Sequence, residues 1–571
     1  MRNKEVAEML YQIADLLDIK GETFFKTRAY RMAAQHIEFL EEAIEDIVQE
    51  ERMQDIPSVG EALAKKITEF VQTGRLPYLE ELKKEIPEGI VRMLDIPGLG
   101  PKKVAAIYNN LGIQTIEELK EACQEGKLRD MDGFGEITEL NILRGISLIQ
   151  QASDRALLNV ALNDGERYTT YLAKCSAVEQ ISIAGSLRRR KETIGDIDIL
   201  VSSSQPDQVM DCFVTYDNVS HVLAQGSTKT SVLLKDNLQV DLRVVEAKSF
   251  GAALQYFTGS KEHNVHLRGL AGKQGYKLNE YGLFDKKTDA YVVGKEEQEI
   301  YTKLGLQYIE PELRENRGEI EAAAAGILPK LIQQQDIRGD LHVHSVYSDG
   351  HETIQDMVDK ARHLGYDYVG IADHSQSLKV ANGLSEERVH KKIAEIKEIN
   401  AHLDDFKVFC GTECDIKADG TLDYPKRLLA QLDYVCIGIH SKFKMSREEA
   451  TQRIMKGMEH DHVTFMAHPT CRMIHRREPF DLDMERILDK ARENNTALEI
   501  NSFPDRLDLN GVHVKQAKDH HCRFVINTDA HLRDHLEFMK FGVAMARRGW
   551  LEKDQVLNTH DTASLLKLLE V

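Results

Sequence analysis

The 571-residue chain has no run of eighteen apolar residues and no amino-terminal signal pattern. That excludes a bilayer-spanning helix and predicts a cytoplasmic protein with no membrane attachment. Its eight cysteines are scattered without a Cys-x-x-Cys pair, several of them inside apolar, strand-like runs. Such a pattern reads as reduced thiols and not as a disulfide framework. Low-complexity sequence is limited to the alanine tract at 322–325. Positive charge is in deficit, with 74 Lys and Arg against 93 Asp and Glu and a net charge of −19. A uniformly basic surface is thereby excluded, and with it the simplest route to nonspecific nucleic-acid affinity. The deficit is uneven: residues 181–280 hold twelve cations against eleven acids, with Arg188, Arg189, Arg190 and Lys191 in succession. Length alone predicts three or four domains.

Against these absences stand two chemistry-bearing patterns. Asp196 and Asp198 alternate with apolar residues in Asp-Ile-Asp-Ile-Leu-Val, so a strand places both carboxylates on one face. Asp241 lies in a second apolar run, Leu238-Gln-Val-Asp-Leu-Arg-Val, and can supply a third oxygen from a neighbouring strand. Such a set suits Mg²⁺ or Mn²⁺ that keeps positions open for phosphate oxygens and supports displacement at phosphorus. An Asp-x-Asp pair alone is as readily a solvated strand edge. Gly185-Ser186, at the end of the run Glu179-Gln-Ile-Ser-Ile-Ala, shifts the balance, because a small residue and a hydroxyl let backbone approach a polyphosphate beside the arginines. The layout is that of a nucleotidyltransferase palm.

Downstream, Tyr256-Phe-Thr-Gly-Ser260, Asn264, Arg268 and Leu278-Asn-Glu-Tyr-Gly282 resemble the nucleotide-binding subdomain of family X DNA polymerases such as polymerase beta. The resemblance implies that Asp196, Asp198 and Asp241 hold the metals and that Gly185, Ser186 and Arg189 bind the incoming triphosphate. Tyr256, Phe257 and Gly259 then form the wall beside the sugar, Asn264 contacts the base, Arg268 faces the template and Arg243 restrains Asp198. Asp241 is the implied acceptor of the primer hydroxyl's proton. Lys261 stands where the family carries a carboxylate, a departure that affects base contacts.

The amino-terminal third contains a repeat. Ile56-Pro-Ser-Val-Gly60 and Ile96-Pro-Gly-Leu-Gly100 each precede an apolar-periodic helix with paired lysines, and Met131-Asp-Gly-Phe-Gly135 is a weaker third copy. One such glycine is ordinarily a helix start, but the repetition resembles helix-hairpin-helix modules, whose glycine turns offer backbone N–H groups to phosphates. Gly60, Gly98 and Gly100 are the implied DNA contacts. Residues 1–85 further resemble the small lyase domain of polymerase beta through Phe25-Lys26-Thr-Arg-Ala-Tyr30-Arg31 and Gly60-Glu-Ala-Leu-Ala-Lys-Lys66. Lys26 and Tyr30 match residues that bind the 5′-phosphate of a gap, and Lys66 falls at the Schiff-base lysine. Phe25, Ala62 and Tyr78 replace a His and two lysines of that constellation, which leaves fewer cations to activate an amine. The expectation here is 5′-phosphate recognition, with lyase chemistry left open.

The second pattern begins past the tract Glu319–Pro329. Seven apolar runs end in metal-ligand side chains: His342-Val-His344, Asp373-His374, Glu413, His440, His468, Glu499, and Asp529-Ala-His531. Helical spacers separate them, and ligands at the carboxyl ends of successive parallel strands converge at one mouth of a barrel. The series resembles the PHP (polymerase and histidinol phosphatase) domain. That likeness implies a distorted (β/α)7 barrel with three Zn²⁺ or Mn²⁺ ions on His342, His344, Asp349, His374, Glu413, His440, His468, Asp529 and His531, with Glu499 and Asp373 as supports.

The predicted architecture is therefore multidomain α+β. It comprises a lyase-like helical domain (1–85), helix-hairpin-helix fingers (86–150), a nucleotidyltransferase palm (151–250), a nucleotide-binding subdomain (251–315), a linker (316–337) and a PHP barrel (338–571). The whole resembles bacterial and archaeal family X polymerases that carry a PHP domain. It implies a monomeric, nucleoid-associated repair enzyme that fills gaps bearing a 5′-phosphate in base excision repair from deoxynucleoside triphosphates. The barrel would add 3′–5′ exonuclease activity and an abasic-site endonuclease activity, and a DNA ligase is the expected partner. Two alternatives are a barrel acting as a phosphatase on pyrophosphate or 3′-phosphates, and a non-enzymatic scaffold that binds DNA ends.

Overall fold

The computed structural model describes residues 3–38, 43–50, 52–94, 96 and 99–569; Gly98 lies outside them. The chain divides into two compact units, the first of residues up to Ser153 with His475–Arg477 and the second of Asp154–Ile474 and Glu478 onward.

As far as Ser153, the first unit is all helical among its described residues. Helix Asn3–Ile19 packs against Phe24–Glu38 and also against Pro101–Leu111. One apolar core accordingly runs from Val6 to Ile146, shared by the segments expected as the lyase-like and fingers domains. The repeat is visible in the capping: helix Glu61–Thr73 starts at Gly60 and stops at a left-handed Gly74, and helix Pro101–Leu111 starts at Gly100 and stops at a left-handed Gly112. Each closing glycine uses the positive φ that only glycine adopts without strain, and its N–H returns to a carbonyl of the last turn.

The second unit opens with a five-stranded sheet in the order Gln180–Ile183, Asp196–Ser202, Gln239–Val245, Lys229–Leu234, Val219–Gln225. Its second strand, Asp196–Ser202, alternates until Ile199 and is then buried on both faces, as expected of an interior strand. The next segment carries helices Phe250–Thr258 and Lys261–Lys273, a three-stranded antiparallel sheet and helix Glu297–Lys303.

The expected linker is not a loose tether. Residues Glu319–Ala325 form a helix whose Ile320, Ala322 and Ala323 join the core of the preceding segment, and Glu319 is fully buried against His263 Nδ1 at 2.7 Å. Alanines that read as low complexity are small packing residues here.

The barrel strands run in parallel: Gly339–Val343, Tyr368–Ile371, Lys407–Cys410 continued by Glu413–Asp415 after a break, Val435–Gly438, Val463–Met466, Ala497–Asn501 and Phe524–Asn527. A parallel bridge from Val343 to Ala530 brings last to first, and the break at Gly411-Thr412 is the distortion. One apolar core joins the palm (Ile197, Val240, Leu242) to the barrel (Ile437, Ile500, Ile526). Trp550, the only tryptophan of the chain, packs into the core of the 251–315 segment.

Two candidate metal centres

In the palm, parallel pairing sets Asp198 directly opposite Asp241, with Asp196 two residues back on the same face. A carboxylate oxygen from each falls within 4.8 Å of the others. Burial, and then repulsion from the Asp196 and Asp241 carboxylates, push the Asp198 carboxyl up to about 7, with Arg243 opposing. Asp196 is raised by burial and by Asp241. Burial works against Asp241 too, but Lys229 Nζ at 2.6 Å and Gln239 Nε2 at 2.8 Å outweigh it and hold that carboxyl below its usual range. Three acids crowded on one face, two of them resisting ionisation, fit a divalent cation.

Gly185 shows why no larger residue serves beside them. Its φ is 62°, and a Cβ there would lie 2.1 Å from Asp198 Oδ2. Gly185→Ala is expected to displace Asp198 and lower nucleotide addition at least about tenfold, the scale of ~1.4 kcal/mol of barrier. Primer-extension kinetics check this, and an undiminished rate would refute the close-approach argument.

Ser186 follows in the short helical turn Gly185–Arg188. The four successive cations differ in availability. Arg188 is committed to Glu297 by a two-pronged pair at 2.8 and 3.0 Å and to Thr258 Oγ1 at 2.6 Å, so it does not add free positive charge. Arg189 donates to the Thr258 carbonyl at 2.5 Å and to Glu315 at 3.1 Å. Tyr256 and Phe257 are half-buried, Gly259 takes a φ of 66°, and Phe257 lies under the Arg243 guanidinium at 4.4 Å. Asn264 is 8% exposed and spends its amide on Gln255 and the Tyr256 carbonyl, which shapes the wall and does not reach outward. Arg268 is exposed.

At the barrel mouth, eight of the nine expected ligands form three overlapping groups: His344, Asp349, His374 and His531; His342, His344 and Asp529; His374, Glu413 and His440. His344 belongs to two groups, as does His374. His468 joins them through Glu413, whose Oε1 its Nε2 meets at 2.8 Å beside His440. Facing donors stand at 3.2 Å (His344 Nε2 to Asp529), 3.5 Å (His374 Nε2 to Asp349) and 2.9 Å (His440 Nε2 to Glu413). Ligands about 2.1 Å from one ion stand roughly 3–3.5 Å apart, so these spacings fit shared cations. His342 Nε2, His344 Nε2, Asp349 Oδ1 and Glu413 Oε2 are buried and satisfied by no hydrogen bond. Buried polar atoms left unpaired in that number are costly unless an ion takes them.

Supports lie behind the ligands. Glu499 accepts from His342 Nδ1 at 2.7 Å, which turns Nε2 toward the centre. Asp373 sits beneath, taking hydrogen bonds from Ser345 and Ser348 and pairing with the buried Lys392 at 3.1 Å. Three further residues escaped sequence reading. Asp415 accepts from His440 N at 2.9 Å, and the alternation Glu413-Cys-Asp415 could have pointed to it. Asn501 donates to Asp529 at 3.1 Å, and Arg506 Nε stands 3.3 Å from the same carboxylate. Arg506 comes from a loop, where no periodicity marks it.

In the first unit Lys26, Tyr30 and Lys66 converge on Tyr78. Lys66 Nζ lies 4.7 Å from its ring centre, the Tyr30 hydroxyl lies close enough for that of Tyr78 to act on it, and Lys26 Nζ pairs with Glu22 at 2.8 Å. Gly60 and Gly100 have negative φ and nothing within 4 Å of a would-be Cβ. Their own backbone therefore does not demand glycine, and the space in front of each helix start is open to an approaching backbone.

Comparison with known proteins agrees with this layout. Family models match a helix-hairpin-helix domain at residues 1–76, a SAM-like helix-hairpin-helix tandem at 90–147, a DNA polymerase beta thumb at 253–315 and a PHP domain at 340–503. The DNA polymerase/3′-5′ exonuclease PolX of Bacillus subtilis (strain 168) is 38% identical over 572 residues, covering 99% of this chain and all of that protein. DNA polymerase lambda of Rattus norvegicus is 26% identical over 354 residues, 55% of this chain and 56% of its own. A solved ternary P/T complex of Leishmania infantum polymerase beta aligns over 40% of this chain and all of its own at 23% identity, with a TM-score of 0.27. End-to-end identity to PolX, with a polymerase beta thumb and a PHP domain in sequence, establishes that the chain belongs to the family X DNA polymerases that carry a carboxy-terminal PHP domain.

Proposed function

We propose that this enzyme fills short gaps in DNA at the palm and removes unpaired 3′ nucleotides at the barrel, as a polymerase and 3′–5′ exonuclease of base excision repair. The observation that carries the reading is that two complete and separate ligand sets, Asp196/Asp198/Asp241 and the triple group around His344, occur in one PolX-family chain.

At the palm, Mg²⁺ or Mn²⁺ on the three aspartates would neutralise the triphosphate and lower the pKa of the primer 3′-hydroxyl. Gly185 and Ser186 receive the triphosphate on open backbone, and Arg189 adds a fork of donors once it leaves Glu315. Asp241, kept ionised by Lys229, takes the hydroxyl proton as the oxygen attacks the α-phosphate and pyrophosphate departs. Tyr256 and Phe257 wall the sugar.

At the barrel, three Zn²⁺ or Mn²⁺ ions would activate water and hold the departing oxygen. Glu499 fixes the orientation of His342, Asp415 that of His440, and Arg506 at the rim is placed to meet a phosphate oxygen of the 3′ end. The same chemistry extends to abasic-site cleavage.

In the first unit, Lys26, Tyr30 and Lys66 receive the 5′-phosphate at the far side of the gap. Lys26→Ala is expected to reduce the preference for 5′-phosphorylated over 5′-hydroxyl gaps about tenfold, the low end for a hydrogen bond to a charged group. Competition binding with the two duplexes checks it, and equal preference in both proteins would remove Lys26 from the site. Ligation of the filled nick by a DNA ligase is the reaction that would follow.

A one-nucleotide gapped duplex with a 5′-phosphate and a labelled primer, incubated with Mn²⁺, tests the whole reading. Extension by one nucleotide is expected with deoxynucleotides and release of monophosphates without them. Shortening alone would reduce the palm to a binding platform. Extension without monophosphates would make the barrel a phosphatase.

A further inference from the structure

Three arginines of the barrel end on the segments that surround the palm's triphosphate turn. Arg472 pairs with Glu192 at 2.7 Å while its other donors hold the carbonyls of Arg506 and Leu507. Arg547, near the end of helix Met539–Arg548, pairs with Glu312 at 2.8 Å and donates to the Ile332 carbonyl at 3.1 Å. Its neighbour Arg548 reaches furthest: Nη1 donates to the backbone carbonyl of Arg189 at 2.6 Å and to Glu315 Oε1 at 3.1 Å. Two residues on, Trp550 is packed in the core of the thumb, so the helix end is anchored where these donors emerge.

Glu315 Oε1 is thus a bridge. The same oxygen takes Arg189 Nε and Arg548 Nη1, each at 3.1 Å, and all three side chains are nearly buried, at 11%, 5% and 12% exposed for Arg189, Arg548 and Glu315. A buried carboxylate that loses its sole cation carries a large desolvation cost. With two cations on one oxygen, Arg189 can turn to a phosphate and Glu315 is still paired. Without Arg548, Glu315 keeps Arg189 as its hydrogen-bonded cation, with Lys191 acting only at longer range, and the arginine is held from the nucleotide by the cost of leaving a buried charge without a direct partner.

We propose that Arg548, a residue of the barrel, positions Arg189 for the incoming triphosphate by keeping Glu315 paired when Arg189 lets go, so that the exonuclease domain sets the nucleotide affinity of the polymerase site. The proposal deepens the functional reading above and rests on Arg189 being a triphosphate ligand. Arg548 touches neither the substrate nor the metal-ligand groups of the barrel; it acts through Arg189 and Glu315 only.

The test is steady-state single-nucleotide gap filling by the full chain, with Arg189→Ala, Arg548→Ala, Arg548→Lys and the double variant Arg548→Ala/Glu315→Gln. Arg548→Ala is expected to raise the KM for the deoxynucleotide about tenfold, within the usual range of coupling between sites, with kcat and 3′-end trimming each within about twofold. Arg548→Lys keeps a cation on Glu315 and recovers part of the loss. Removing the trap in the double variant returns KM to within about threefold of the parent, whereas a role confined to packing would leave the double variant no better than the single one. Melting followed by Trp550 emission verifies that the barrel stays docked on the thumb. An unchanged KM in Arg548→Ala overturns the proposal, as does a rise in KM matched by an equal loss of trimming, or a double variant that stays impaired. If Arg189→Ala itself leaves KM unchanged, the triphosphate assignment fails, and the proposal with it.

Discussion

Asp198→Asn is expected to abolish nucleotide addition, by about 10³-fold or ~4 kcal/mol of barrier, while raising the melting temperature of the metal-free protein. Both effects have one origin. Asp198 is set opposite Asp241 and two residues from Asp196, and its carboxyl is pushed up from 3.8 to about 7 by burial first and by those two neighbours next. A folded-state pKa above the unfolded one means that the folded protein binds more protons between those values, so stability falls as pH rises from about 4 to 7 and the full cost persists above. Asparagine keeps the shape and removes the charge. The gain in melting temperature, about 2–4 °C, should therefore be absent near pH 4 and complete by pH 8. Saturating Mg²⁺ or Mn²⁺ reverses its sign, because the ion binds only the parent site. Calorimetry at three pH values with and without metal decides this; a variant less stable than the parent in chelator at pH 8 would contradict it. Trimming of 3′ ends should be unaffected, since the barrel's ligand groups include none of the palm's aspartates.

His344→Ala is the converse. His344 is the residue shared by the four-ligand group and the Asp529 group, and its ring lies 4.5 Å from that of His374 and 4.3 Å from that of His531. Its loss removes a donor from two adjoining sites at once, and donors of a shared cluster act as a unit. Exonuclease activity is expected to fall about 10³-fold, and the metal content of the purified protein to drop by at least one ion, as measured by elemental analysis. Gap filling persists. Retention of the parent's full metal content would show that His344 is not a ligand, and parallel loss of synthesis with the fold intact would show that the two centres are not independent. Chelation, which strips the palm as well, should abolish both activities and lower the melting temperature of the parent more than that of His344→Ala, because bound ions stabilise the native barrel by mass action.

How far these sites were legible in the sequence depends on what places each residue. Asp196 and Asp198 were readable because a strand's period of two commits both to one face. The residues grouped at the barrel mouth were readable because all but Asp349 lie at the end of an apolar run, and parallel strands bring their carboxyl ends to one mouth. Capping glycines exposed the amino-terminal repeat for a similar local reason. His468 ends its strand as the others do and faces the same Glu413 oxygen as His440, at 2.8 Å against 2.9 Å. Arg188 shows the limit, since its neighbours in sequence predicted free charge and the fold consumed it on Glu297. Asn264, read as a base contact, spends its amide inside the wall.

What the sequence by itself determined is therefore the chemistry: which residue types stand at the ends of which strands, and hence that oxygen and imidazole ligands collect at two places. Local periodicity carries that information because backbone geometry converts spacing into facing. Only the tertiary structure decided which cations remain available, how a 1–150 region expected as two bodies shares one core, and that the segment after Asn316 is packed rather than slack. It also decided that a barrel arginine shares an oxygen with the palm's triphosphate arginine. Pairings of that kind join residues 359 positions apart in the chain. Their energy comes from burial that no local pattern records.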